Sequence, residues 1–168
     1  MNGPTAQRPG DPATDVCVLG AGALGTAIGG MLAAGGLDVV LVSRRAEHVA
    51  AVERDGLLLH TPDGQRRVTV RARTSCAGLG PVATLLVLVK STDTATAIAA
   101  ASGAIGPDTL VLSLQNGLGN EQVLADAVGA DRVAAGRTWV GGQLRGPGEV
   151  FAGVSGKDKA SAGGLGRL

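Results

Sequence analysis

Apolar positions along this chain fall into short unbroken runs, separated by stretches in which they recur at helical spacing. The runs at 16–19 ("VCVL"), 38–42 ("DVVLV"), 84–89 ("TLLVLV") and 109–114 ("TLVLSL") have strand length and are rich in branched residues. Runs that are apolar at nearly every position, not at alternate ones, predict strands covered on both faces. Between them lie helical segments at 23–34, 46–55, 92–101 and 120–128. Gly35 and Gly36, Gly56, Gly103 with Pro107, and Gly129 punctuate their ends. Glycine just past the last turn is a common helix stop. The segments 57–61 and 67–73 flank "PDGQ", whose turn chemistry predicts a hairpin or a pair of extended segments. Two further strands are read at 132–135 and 149–154.

This order of strand and helix predicts an α/β, doubly wound Rossmann-type fold with a mostly parallel sheet. A parallel pair joined by a helix implies a right-handed crossover. Residues 15–156 are assigned to this domain. Residues 1–14, rich in Pro, Gly and polar side chains, read as a disordered leader without a signal-type apolar segment. Residues 157–168 read as a tail or truncated linker.

Composition narrows the picture. The chain has 168 residues, 45% of them hydrophobic, so one ordinary domain with a true core fits. Trp139 and Phe151 are its only aromatics. The core must therefore be built from Val, Leu, Ile and Ala. A formal net charge of +1, with no long basic run, gives no nucleic-acid footprint. Cys17 and Cys76 lie in or beside apolar runs and read as small buried thiols of a reducing, cytoplasmic protein. No disulfide framework or metal site is expected.

One stretch invites a different reading. From Val16 to Val42 the only charge is Asp38, and Gly25 and Gly29 form the Gly-x-x-x-Gly pattern of packed membrane helices. Branched runs at both ends and glycines between them fit strand–turn–helix–strand better, so no membrane span is expected.

The sharpest motif is "GAGALG", formed by Gly20, Ala21, Gly22, Ala23, Leu24 and Gly25. Alone it is weak in a glycine-rich chain. Its place after a strand and at the opening of a helix gives each glycine a task. Gly20 permits a tight turn, Gly22 lets a pyrophosphate approach the backbone, and Gly25 lets helix and strand pack closely. Free N–H groups and the helix dipole then favour the anion. Domains that bind NAD usually place an acid at the end of the second strand, to hold the ribose 2′-hydroxyl. Here Ser43, Arg44 and Arg45 stand there. Hydroxyl and guanidinium groups suit a 2′-phosphate, so NADP(H) is the expected cofactor. Which arginine makes the contact is open.

Two more strands end in polar residues on the same edge: Lys90 follows 84–89, and Gln115, Asn116 and Gly117 follow 109–114. A lysine there places a cation near cofactor hydroxyls or an anionic substrate, and an asparagine can bind a carboxamide or substrate oxygen. Each has an ordinary alternative, a surface charge or an Asn-Gly turn.

Together, "VLGAGALGTAIGGMLAAGGLDVVLVSRR", "TLLVLVKSTDT" and "LVLSLQNGLGNEQVLADAVGADRVAAGRT" resemble the N-terminal domain of the ketopantoate reductase (2-dehydropantoate 2-reductase) family over roughly residues 16–156. The resemblance implies NADPH-dependent reduction of the 2-oxo acid 2-dehydropantoate to (R)-pantoate, on the route to pantothenate and coenzyme A. It matches Gly20, Gly22 and Gly25 to the phosphate loop and Arg44 to the 2′-phosphate. It matches Lys90 to the nicotinamide ribose, and Asn116 to the nicotinamide and substrate. It also implies a second, helical domain carrying a general-acid lysine, expected to be absent from these 168 residues. On that expectation turnover by this chain alone is doubtful. Two alternatives stand beside it: a cofactor-binding module without turnover, or the cofactor domain of another NAD(P)-dependent dehydrogenase. Self-association through an uncovered face is open.

Overall fold

A computed structural model describes residues 14–154. Its elements are, in order, β1 (Val16–Leu19), α1 (Ala23–Ala34), β2 (Val39–Val42), α2 (Ala46–Asp55), β3 (Leu57–Thr61), β4 (Gly64–Val68), β5 (Arg71–Arg73) and β6 (Thr84–Val87). A 3-10 turn at Ser91–Asp93 leads into α3 (Thr94–Ala100). Then come β7 (Leu110–Ser113), α4 (Asn120–Val128), β8 (Val133–Ala135), β9 (Val140–Gly146) and β10 (Glu149–Val154).

The main sheet has six strands in the order β5-β2-β1-β6-β7-β8, and every pairing in it is parallel. β1 sits inside it, with Val16, Cys17, Val18 and Leu19 all buried. Alternate residues serve opposite faces. Val16 and Val18 join the core beneath α1, whereas Cys17 and Leu19 join the core formed with Ile98 of α3 and Leu124 of α4. Double coverage is why these strands carry no polar alternation.

A second sheet, ordered β4-β3-β10-β9, lies on the far side of α1. This explains the helix's composition. Added Cβ atoms at Gly29 and Gly30 would overlap Leu41 in the main sheet and Leu57 in the second, respectively. Only a helix with glycine at these two contact points can approach both sheets so closely. The membrane-like pattern at 16–42 therefore reflects burial from two sides. Among the described residues no helix is long and apolar enough to cross a membrane.

The structure departs from expectation at several points. The segment 67–73 divides: Val68 ends β4, antiparallel to β3, while β5 crosses to the main sheet and pairs with β2. β9 carries three glycines and no clear alternation, and nothing in its pattern announced a strand. Thr14, read as the end of the leader, is buried, and its carbonyl accepts the Ala83 amide. The rest of the leader and the tail at 157–168 lie outside the described residues. Cys17 and Cys76 are buried free thiols.

Candidate nucleotide and substrate site

The glycine loop leaves the end of β1 held by main-chain bonds. The amides of Gly20 and Ala21 both donate to the Val42 carbonyl, at 3.1 and 2.8 Å, tying the loop to the end of β2. Gly20 has φ +101°, and a Cβ there would meet Val89 nitrogen at 2.5 Å, so only glycine fits the turn. A Cβ on Gly25 would overlap the Gly20 carbonyl oxygen, whereas one on Gly22 would meet nothing within 4 Å. The two glycines thus differ in kind: Gly25 serves packing inside the protein, and Gly22 faces open space.

Gly22 is the N-cap of α1, no side chain caps the helix, and its first turn holds no acid. The amides of Ala23, Leu24 and Gly25 precede the first intrahelical bond, from Thr26 nitrogen to Gly22 oxygen at 2.9 Å. This is a ready cradle for an anion. β9 supports it from behind: Gly142 packs so tightly on the main chain of Ala23 and Leu24 that a Cβ would overlap the Ala23 carbonyl.

At the end of β2 the three expected residues separate. Ser43 is buried, and its Oγ accepts the Arg45 amide at 3.3 Å, so it shapes the start of α2. Arg45 is the exposed N-cap residue of that helix. Arg44 reaches across the sheet edge, and its guanidinium lies 3.0 Å from Asp93.

Lys90 is exposed at the end of the strand-like run that follows β6, with no ion-pair partner among the described residues. The adjacent Ser91 donates from Oγ to the Asn116 carbonyl at 2.9 Å, which brings the Lys90 and Asn116 loops together. Asn120 cements the junction. Its Nδ2 donates to the Asn116 carbonyl at 3.2 Å and to Ser91 Oγ at 3.3 Å. Gln115 ties in as well, donating to Thr94 Oγ1 at 2.8 Å and to the Val89 carbonyl at 2.9 Å. With its carbonyl engaged, Asn116 stands exposed in an open cavity of about 610 Å³ at the ends of β7 and β8. Gln115, Leu118, Glu121, Arg137 and Trp139 also line it. Leu118 and Trp139 are 95% and 74% exposed, which marks an apolar rim on this edge.

The expected residues therefore occupy one edge in two groups, with the glycine loop and Arg44 around β1 and β2, and Lys90 and Asn116 around β6 and β7. Sequence reasoning missed Asp93, Asn120, Arg137 and Trp139. Asp93 stood in view within "KSTDT", but only its distance to Arg44 gives it meaning.

A parallel sheet with an uncapped glycine turn at the end of a central strand defines the Rossmann class of α/β domain. Residues 16–163 match the family model described as ketopantoate reductase PanE/ApbA, and the chain belongs to that family. It is 43% identical over 136 residues to a 2-dehydropantoate 2-reductase of Halobacterium salinarum, covering 80% of this chain and 45% of that protein. Among solved structures, a PanE/ApbA family ketopantoate reductase from Ralstonia eutropha superposes with a TM-score of 0.77 at 38% identity, covering 85% of this chain and 47% of that one. D-mandelate dehydrogenase with NADH and anilino(oxo)acetate also gives 0.77, at 26% identity, covering 85% and 46%. The chain spans about half the length of the relatives it matches.

Proposed function

We propose that this chain is the NADPH-binding part of a 2-dehydropantoate 2-reductase. The observation that carries the reading is the open first turn of α1 at Gly22, with Arg44 and no acid at the end of β2. The amides of Ala23 and Leu24 would hold the pyrophosphate, and Arg44 the 2′-phosphate. Lys90 would hold the nicotinamide ribose. When bound, the reduced nicotinamide supplies a hydride to a ketone carbon. Asn116 donates from its side-chain amide toward the carboxamide or the ketone oxygen, where negative charge develops. Arg137 lines the same cavity and supplies a cation for the carboxylate of a 2-oxo acid.

The test is a calorimetric titration of the chain with NADPH and NADH, followed by a panel of 2-oxo acids read by cofactor oxidation. Tighter binding of NADPH is expected, with 2-dehydropantoate the preferred acid wherever turnover is seen. Equal affinity for the two cofactors, or a preference for NADH, overturns the assignment of Arg44.

A further inference from the structure

β2 and β6 flank β1 on its two sides. Arg44 lies just past the end of β2 and Asp93 in the turn that follows β6. Their 3.0 Å ion pair therefore spans the edge above the end of β1, where the glycine loop begins. Bound nucleotides occupy this crevice beyond the carboxyl ends of the strands in such sheets. Asp93 is also the N-cap residue of α3, a position where aspartate normally accepts a hydrogen bond from the helix's own amides. It makes no such bond. One carboxylate oxygen faces Arg44, and the other lies 3.3 Å from Thr92 Oγ1, which donates to it. Its side chain is 35% exposed and that of Arg44 89% exposed. Such an exposed pair contributes little to folding.

We propose that Asp93 is a specificity-determining residue that moderates the preference for NADPH over NADH, an inference that rests on the nucleotide reading above. Most NAD-type domains carry an acid at the end of the second strand, and here that place holds Ser43, Arg44 and Arg45. Asp93 delivers a carboxylate to the same neighbourhood from the other side of β1. It offsets part of the Arg44 charge and repels a 2′-phosphate that Arg44 holds. Toward NADH it offers an acceptor for a ribose hydroxyl. The crevice thus holds determinants of both signs, and the balance between the cofactors is set by the pair, not by Arg44 alone.

The experiment compares the full chain with its Asp93→Asn variant by titration with NADPH and NADH, and with the smaller probes adenosine 2′,5′-bisphosphate and 5′-ADP. Asn keeps the shape and removes the charge. The variant is expected to bind NADPH and the 2′-phosphorylated probe more tightly. The ratio of NADH to NADPH dissociation constants rises about fivefold or more at low salt, and the gain shrinks as salt is added. A gain in affinity is not a consequence of damaged folding. An unchanged ratio, with both cofactors still bound, overturns the role of Asp93 and leaves the nucleotide site standing. A parent chain that binds none of the four ligands overturns the nucleotide reading and this inference with it.

Discussion

His48 Nε2 lies 3.2 Å from Thr26 Oγ1, joining α2 to α1 inside the protein. On its other side, His48 Nδ1 accepts the Gly148 amide at 3.1 Å. That bond leaves the ring proton on Nε2, which donates to Thr26. Thr26 Oγ1 in turn donates to the Ala21 carbonyl at 3.2 Å, inside the glycine loop. A buried relay thus links the turn before β10 to the glycine loop, the proposed seat of the pyrophosphate.

The relay requires a neutral imidazole. Burial, reinforced by the nearby Arg45 charge, holds the His48 pKa below its ordinary 6.5. Between the lowered value and 6.5 the unfolded chain binds more protons, so this part of the stability is full above 6.5 and is lost as pH falls. Urea melts from neutral to acidic pH will show a loss that His48→Phe removes. At neutral pH the same variant costs about 1–3 kcal/mol, because it leaves the Gly148 amide and the Thr26 hydroxyl without their partner. Parallel pH profiles for parent and variant would refute the relay. The difference between the two profiles isolates the contribution of His48, because every other side chain is common to both.

Gly22 and Gly25 separate binding from folding. Gly22→Val adds a side chain into open space, so the variant should melt like the parent while losing NADPH. Gly25→Val drives a Cβ into the Gly20 carbonyl and should lower the melting temperature. Overpacking of this kind typically costs about 1–3 kcal/mol. Normal NADPH binding by a folded Gly22→Val would show that the loop is not where the pyrophosphate rests.

Much of the fold was legible because the main-sheet strands and their helices obey rules that act over a few residues. Unbroken apolar runs marked β1, β2, β6 and β7, and glycine stops fixed the ends of α1, α2 and α4 to the residue. What escaped depends on contacts between distant segments. β9 is Val-Gly-Gly-Gln-Leu-Arg-Gly, and its Gly142 answers to the main chain of α1 and not to any strand pattern. β5 leaves its hairpin because Ala72 and its neighbours complete the edge beside β2, with the Ala72 amide held by the Glu53 carboxylate. The site was similarly divided. Gly20, Gly22, Gly25, Arg44, Lys90 and Asn116 stood at strand ends and could be picked out singly. The pairing of Arg44 with Asp93 and the bond from Asn120 to Ser91 join segments far apart in the chain, and no spacing in the sequence encodes them.

Arg44→Ala tests the proposed 2′-phosphate contact. The side chain is almost wholly exposed and its one ion pair lies on the surface, so folding should be unaffected. Charge-assisted hydrogen bonds contribute about 1.5–3 kcal/mol each, so NADPH affinity should fall by about tenfold or more while NADH affinity changes little. Titrations at matched ionic strength measure this directly. Equal losses for both cofactors would move the role of Arg44 from the phosphate to the adenosine common to both.

Asn120 provides the test of how the Asn116 loop is held. Its side chain is buried, and its amide reaches the Asn116 carbonyl and Ser91 Oγ while Thr94 Oγ1 lies 3.2 Å from its carbonyl oxygen. Asn120→Leu keeps the volume close to that of the parent but removes both donors and the acceptor. Each buried partner left unpaired costs about 1–3 kcal/mol, although Ser91 still serves the Asn116 carbonyl and limits the total. The loop at 115–119 should loosen before the rest of the domain does, because its ends are fixed in β7 and α4. Hydrogen exchange should therefore accelerate at the amides of this loop while those of β1 and β6 remain protected. If Asn116 then fails to present its amide, binding at the nicotinamide end weakens while a 5′-ADP probe, which stops short of that end, binds as before. Unchanged exchange at 115–119 would mean that the loop is held by its own backbone and by Ser91, with Asn120 a bystander.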